Sequence, residues 1–464
     1  MLKQDNNSFW MQSLGAEYFG DGATAPTAPD SHYDIAIVGG GFSGLWLAYY
    51  LKQADSRLNI AIFEAKQIAY GASGRNGGWL STNLPGVIGN LLKHPHITKS
   101  AVQALQRQVI ATIAEVDGVC QREYIDCDLH HGGLLFVATN AAQSDRLQAY
   151  YQEELNYGFL PSELRLIDAA TAKQHINIPS LQSAVHYDHG ARIHPVKLAL
   201  GLKQRVLDLG VHLFENTPVR SIAQGKVYLT DAAVNAGKVI CCTEGYSNQV
   251  LYDNKVIPVN SSIIMTKPLP DEFWQQFGWQ NNELLGDLAH LYVYAQKTRD
   301  GRILFGGRGA PYQYNSVDAG DGVLDSNTTA QLYRRIGELF PDFPIEIDRA
   351  WKGSLGVTRD WDPSVTLDAQ TGLGWIYGFG GNGVGPTNLA ARTMVDKILG
   401  RTTALTALPW NDYVCPTWEG EPWRWVGIQS MYKLFAAADK LEYGLKLKKS
   451  AFFAGAAYKI CGLD

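Results

Sequence analysis

The stretch Asp34-Ile-Ala-Ile-Val-Gly-Gly-Gly-Phe-Ser-Gly-Leu-Trp46 constrains the fold more than any other part of the chain. An apolar run stops at three glycines and resumes with helical spacing, and a second apolar run, Ile60-Ala-Ile-Phe63, ends at Glu64. Strand, glycine turn, helix, strand and acid in this order bind the ADP half of a dinucleotide. Gly39 permits the tight turn, Gly41 keeps a Cβ out of the path of a pyrophosphate, and Gly44 lets helix and strand pack closely. The helix N-terminus turns its free N–H groups and positive dipole end toward the phosphates. Glu64 is placed to accept hydrogen bonds from a ribose diol, and Phe42, Ser43 and Ala65 belong to the same site.

Size and composition narrow the class. A chain of 464 residues, 46% of them hydrophobic, can bury a large core and divide into two domains. Its net charge of −5 leaves no global basic excess for nucleic acid. Six cysteines, at 120, 127, 241, 242, 415 and 461, show neither a CxxC pair nor metal-ligand spacing, so no metal site is expected. The N-terminus lacks a basic segment followed by an apolar one, and no window approaches the roughly 18 apolar residues of a spanning helix. These features lead to the expectation of a soluble, cytoplasmic protein.

Residues 1–32 read as an extended lead-in rich in small and polar residues. After Glu64, Tyr70-Gly-Ala-Ser-Gly-Arg-Asn-Gly-Gly-Trp79 is too rich in glycine for a regular element and reads as a loop with a closely approached partner. Helical patterns follow from Leu91 to about Cys120 and from Asp145 to Tyr157, with a strand at 132–138. Strand patterns recur at 239–242, 257–265 and 303–306. A last strand and turn, Gly374 to Gly385, leads into a helix from Thr387 to about Leu399.

On these blocks the chain resembles the D-amino-acid oxidase superfamily of FAD-dependent oxidoreductases, and within it the gamma-glutamylputrescine oxidoreductase group. The resemblance rests on the Gly39–Gly44 turn, Gly71-Ala-Ser-Gly-Arg-Asn-Gly-Gly78, Ile193-His-Pro195, Thr243-x-Gly245, Leu304-Phe-Gly-Gly307 and Gly380–Gly385. It implies an α/β architecture. A Rossmann-like FAD-binding domain of the glutathione-reductase type (33–90, 180–250 and 350–400) is interleaved with an α+β substrate domain on a mixed or antiparallel sheet (91–179 and 251–349). A C-terminal helical extension (401–464) follows. By position, the resemblance places Ser73, Gly74, Arg75, Asn76, Gly77 and Gly78 along the pyrophosphate, ribityl chain and flavin edge. It gives Val219 a backbone contact to adenine and sets Thr243 and Gly245 over the ADP. Gly380, Asn382, Gly383, Val384 and Gly385 would form a helix N-terminus beside the flavin N1/O2 edge, where the dipole favours negative charge.

The implied chemistry is oxidation of a carbon–nitrogen bond in an amine, polyamine conjugate or amino acid by hydride transfer to flavin N5. The resulting imine hydrolyses to an aldehyde or keto acid. Arg308 and Arg359 are the candidate substrate-positioning residues, Arg359 within Gly353–Pro363, a block that the resemblance sets near the flavin; the plainer roles are a pairing at the strand's end for Arg308 and an ion pair with Asp360 or Asp362 for Arg359. His194 reads as a packing and capping residue. The position near Ser354 lacks the cysteine that tethers FAD in sarcosine oxidase-like relatives, so noncovalent FAD is expected. Leu304 stands where those relatives carry an oxygen-activating lysine, with Lys267 or Arg308 as substitutes. Oxygen, a quinone or a carrier protein all remain open as electron acceptor. The alternative reading is a flavin-bound accessory or maturation module acting on a partner protein.

Beyond residue 400, Trp410, Trp418, Trp423 and Trp425 precede a helical pattern with Ile428, Met431, Tyr432 and Phe435 on one face and Lys440, Lys446, Lys448, Lys449 and Lys459 after it. Two readings stay open: a helix packed on the substrate domain, or a basic amphipathic segment in peripheral contact with the inner membrane.

Overall fold

The computed structural model describes residues 8–15, 29–86, 88–307, 312–316 and 322–463. Two large sheets organise them. The first runs in the order Ser221–Ala223, Lys226–Tyr228, Ala233–Cys241, His32–Val38, Ile60–Phe63, His212–Phe214. Its inner strands are parallel: His32–Val38 pairs with Ala233–Cys241 on one side and Ile60–Phe63 on the other. Leu373–Tyr377 adds alongside Ala233–Cys241 and carries Ser364–Leu367 antiparallel to it. Ile35 to Val38 and Ile60 to Phe63 are buried throughout, as parallel strands covered on both faces must be. The helix Phe42–Ala54 packs between Pro195–Asp208 and Pro386–Ile398, which explains why its burial is not confined to one stripe.

The second sheet runs Ile347–Thr358, Val256–Thr266, Ile303–Gly307, Val293–Lys297, Leu284–Asp287, Leu134–Ala138, Ser183–Tyr187, Leu164–Asp168. It is antiparallel apart from the pairing of Leu284–Asp287 with Leu134–Ala138, and so is mixed as expected. A small third sheet joins Trp79–Leu80, Ala191–Arg192 and His130–His131. Sheet membership differs from the expected joins near 180 and 350. Ser183–Tyr187 and Ile347–Thr358 both belong to the second sheet, because each continues a ladder begun on that side.

Two local expectations change. Residues within the lead-in form a short helix, Phe9–Gln12, whose Phe9 and Trp10 are buried; two large aromatic anchors outweigh the polar composition around them. The helix expected from Leu91 starts at Lys99, since Pro95 interrupts the pattern and Thr98 caps the new start through Ala101 N–H. The C-terminal part folds into Trp423–Gly444 and Ala454–Cys461, two helices packed on each other. No helix of the described residues is long and apolar enough to cross a membrane.

Candidate active site

Backbone contacts dictate the first glycine turn. At Gly39 φ is +104° and a Cβ would lie 2.6 Å from the Cys242 carbonyl oxygen. At Gly44 it would lie 2.0 Å from the Gly39 carbonyl oxygen. Only glycine fits either place. The helix that follows starts after Gly41, which has no side chain to cap it, and the first helical N–H, that of Phe42, is taken up by Ser73 Oγ from the neighbouring loop. Glu64 closes the turn from below: Oε2 accepts from Gly40 N–H at 2.8 Å and Oε1 from Lys66 N–H at 2.9 Å. Burial pushes its carboxyl above the ordinary range, opposed by those backbone donors.

The Gly71–Gly78 loop is tethered from three directions. Ser8 Oγ donates to the Gly74 carbonyl at 2.6 Å, Trp351 Nε1 to the Arg75 carbonyl at 2.9 Å, and Trp10 Nε1 to the Asn76 carbonyl at 2.9 Å. Phe42 N–H donates to Ser73 Oγ at 2.9 Å, tying the loop to the helix start. Asn76 closes the loop on itself, its Nδ2 donating to the Ala72 and Ser73 carbonyls and its Oδ1 accepting from Gly78 N–H. The Arg75 guanidinium lies 4.5 Å from the Tyr70 ring centre.

Between these elements runs a cavity of about 320 Å³, from Gly39, Gly41 and Glu64 at one end to Gly381, Gly383 and Val384 at the other. At that second end the helix Pro386–Ile398 starts at Gly385, again without a side-chain cap. A second cavity of about 410 Å³ shares Ala72, Asn76, Leu355, Phe379, Gly381 and Val384 with the first, so the two adjoin across a common wall. Its walls carry Trp79, Phe136, Tyr150, Tyr292, Tyr294 and Trp361. A long cavity with a helix N-terminus that begins on glycine at each end suits a group that is anionic in the middle and gathers negative charge at its far end. An extended FAD meets both conditions.

The whole-chain comparisons agree with this geometry. Residues 34–397 match the family described as FAD dependent oxidoreductase. The chain belongs to that family. Gamma-glutamylputrescine oxidoreductase of Escherichia coli (strain K12) is 28% identical over 394 residues, covering 81% of this chain and 86% of the relative. The probable oxidoreductase OrdL of Haemophilus influenzae is 25% identical over 386 residues, covering 81% and 85%. Among solved structures, glycine oxidase from Geobacillus kaustophilus superposes with a TM-score of 0.67 at 20% identity, covering 83% of this chain and 100% of that one. As a member of this family the protein is an FAD-dependent oxidoreductase with a Rossmann-like cofactor domain.

The structure sorts the expected site residues of this flavoprotein into wall and support. Gly39, Gly41, Phe42, Ser43, Glu64 and Ala65 line the first cavity, as do Ser73, Val219, Thr243, Gly245, Gly383 and Val384. Asn76 borders both cavities, while Arg75, Gly77, Gly380 and Asn382 line the second. Gly44, Gly74, Gly78 and Gly385 are on neither wall. Gly74 and Gly78 are required by packing: a Cβ would meet the Ala69 carbonyl oxygen at 1.8 Å and the Ile193 carbonyl oxygen at 2.4 Å.

Arg308 lies outside the described residues. Arg359 is on neither cavity wall: its guanidinium pairs with Glu419 at 2.9 Å and lies 5.5 Å from the Trp418 ring centre, so a partner from the C-terminal part, not Asp360 or Asp362, engages it. Lys267 pairs with Glu346 on the surface. Leu304 is fully buried, with its Cδ2 close to Gly77. Ser354 lines the first cavity. His194 caps the helix Pro195–Asp208 through Lys197 N–H, and burial depresses its imidazole to about 4.

Several residues escaped the sequence reading. Glu244, the middle residue of Thr243-x-Gly245, accepts from Gly378 N–H at 2.9 Å and Phe379 N–H at 3.1 Å, fixing the entry to the second glycine turn. Burial raises its carboxyl to about 7. An acid at a strand end crowded by glycines was the available signal. Tyr294 packs between Gly77 and Gly306, and its hydroxyl meets Ser261 Oγ at 2.8 Å. Two groups of ligand-type side chains also come together, His175 with His186 and Glu283, and His290 with Asp439 and Glu442, although their sequence separations gave no hint of it.

Proposed function

We propose that this flavoenzyme oxidises the carbon–nitrogen bond of an amine, polyamine conjugate or amino acid, giving an imine that water hydrolyses to an aldehyde or keto acid. The observation that carries the reading is that the cofactor cavity shares a wall with a chamber lined by aromatic rings. FAD, held noncovalently, supplies the two-electron acceptor at N5. The protein's task is then to admit the amine in its neutral form, hold its C–H bond toward the shared wall and keep water out. Aromatic walls do this by excluding water and favouring the uncharged amine. Tyr294 and Ser261 offer a hydroxyl pair for orienting it, and burial raises the Tyr294 hydroxyl, so it stays protonated and acts as a hydrogen-bonding group. Asp287, the carboxylate on the wall, has both oxygens engaged, by Arg335 at 2.7 Å and by Val293 N–H at 2.8 Å.

This reading is tested by anaerobic titration of the yellow protein with polyamines, glutamylated amines and D- and L-amino acids. Rapid bleaching by one class is the expected result; a flavin unreactive to all of them would overturn it. Acid precipitation should leave the yellow colour in the supernatant. With Leu304 buried where a cation would assist oxygen, reduced protein should be reoxidised faster by a soluble quinone than by air.

The outer face of the C-terminal helices supports delivery to a membrane-held acceptor. Trp423, Leu445, Phe452 and Ile460 are exposed, Phe452 to 93%, among exposed Lys433, Lys440, Lys446, Lys448, Lys449 and Lys459. Apolar groups set among lysines suit an anionic lipid surface. Pelleting with anionic vesicles should be lost when Trp423 and Phe452 are both replaced by glutamate, and equal pelleting of the two proteins would remove the membrane from the reading.

A further inference from the structure

The 410 Å³ chamber is closed on one side by Phe435, Tyr458 and Leu463, all from the C-terminal helices and the turn after them. They lie beyond residues 34–397, the part matched to the family. Phe435, Ala438 and Glu442 are buried at spacings of three and four, so they form a single stripe on the inner face of Trp423–Gly444. The Phe435 ring lies nearly parallel to that of His290, with centres 6.0 Å apart, and 4.9 Å from that of Tyr458.

Two clamps hold this wall in place. In the first, the buried Glu442 carboxylate accepts from Arg146 Nη1 at 2.9 Å and from Ala451 N–H at 2.9 Å, and lies 2.7 Å from His290 Nε2. Arg146 Nη1 also reaches Ser450 Oγ at 2.8 Å, and Asp439 accepts from the backbone N–H groups of His290 and Leu291. In the second clamp, Asn90 Nδ2 bridges the carbonyls of Asp360 and Gly462 at 2.7 Å each, while Trp361 Nε1 donates to the Cys461 carbonyl at 3.1 Å. Trp361 is itself the neighbour of Gly380, so the chain end is pinned against the second glycine turn.

The chemistry presented to the chamber follows from these bonds. The Tyr458 hydroxyl is engaged with His290 Nδ1 at 2.8 Å, the Arg146 charge is matched by Glu442 and the Asp287 charge by Arg335, so these polar groups of the wall are satisfied within the protein beside the rings of Phe435 and Tyr458. We infer that residues 423–463 form the specificity wall of the substrate chamber, selecting by length and shape an amine whose tail is apolar or aromatic and uncharged at its far end. The inference rests on the reading above that this chamber receives the amine.

Its test uses the full-length FAD-bound protein and two readouts. Straight-chain primary amines and arylalkylamines of increasing tail length are titrated anaerobically, following the visible flavin spectrum. Phe435→Ala should shift the preferred tail longer by one or two carbons, changing the ratio of affinities for long and short tails about tenfold, and Phe435→Trp should shift it shorter. Separately, acrylamide quenching of flavin fluorescence should rise in Glu442→Gln, which loosens the first clamp, whether or not any amine binds. Unaltered tail preference in both folded Phe435 variants overturns the wall, as does unaltered quenching in folded Glu442→Gln. If Glu442→Gln does not fold, the quenching measurement passes to Phe435→Ala with the same two outcomes. If no amine perturbs the parent flavin but quenching rises, the wall stands and the amine reading falls.

Discussion

The nucleotide-binding unit at 32–64 and the C-terminal helices at 423–463 bound two adjoining cavities, but they are built by opposite means. The first is shaped by glycines whose missing Cβ atoms leave room for the backbone of near neighbours, as Gly44 does for the Gly39 carbonyl. The second is held by charged and polar side chains that reach elements far away in sequence, such as Glu442 to Arg146 and His290. A cofactor common to a family can be held by backbone geometry, which few substitutions leave intact. The wall, which lies beyond the residues matched to the family, rests instead on side chains.

That contrast can be broken at either end. The largest cost is expected at the first clamp: Arg146→Met should destabilise the protein by about 3–5 kcal/mol in chemical denaturation, because the buried Glu442 loses its partner. Adding Glu442→Leu should recover more than half of it. If the single change is neutral, the side-chain account of the extension is wrong. Gly44→Val should cost about 3 kcal/mol and abolish bound yellow cofactor, read as FAD absorbance per protein, because the new Cβ meets a backbone oxygen that cannot retreat.

A third experiment isolates Glu244 by its pH dependence. Its folded carboxyl stands near 7 against an ordinary 4.5, so its stabilising contribution is complete below about 4.5 and is lost as pH rises through about 7. His194, depressed to about 4, acts in the opposite direction: its contribution is complete above about 6.5 and is lost as pH falls through 4. The profile of the parent apoprotein therefore mixes the two. The difference between it and Glu244→Gln should isolate the first, with the variant gaining up to about 3 kcal/mol relative to the parent between pH 4.5 and 7. A flat difference would mean that the carboxylate remains ionised throughout. The smallest effect is expected at Arg359, half-buried beside Glu419. Arg359→Ala should cost under about 1 kcal/mol and move KM for the substrate less than about twofold. A large rise in KM would return this arginine to the substrate site.

Much of the first region was legible in the sequence, because turn, helix start and closing acid fall within 32 consecutive residues (33–64) and each follows from local geometry. The strands at 256–266, 303–307 and 373–377 were legible from apolar runs between glycines. What was hidden depends on distance along the chain. Trp10 reads as an aromatic in a polar tail until Asn76, 66 residues on, supplies its acceptor. Arg359 sits in a block that resembles the flavin-side pattern, yet Glu419, 60 residues away, draws it outward. The helical stripe at Phe435 was visible, but periodicity names a buried face without naming what it covers. Only the fold shows that it closes the chamber.

The loop at 71–78 takes its shape from residues that lie both before and well after it in the sequence. Its tethers at Ser8 and Trp10 precede it, but the third is Trp351, 276 residues beyond the carbonyl it binds. The loop that borders the cofactor cavity is thus fastened by residues on both sides of it in sequence, two of them 66 positions away and one far beyond.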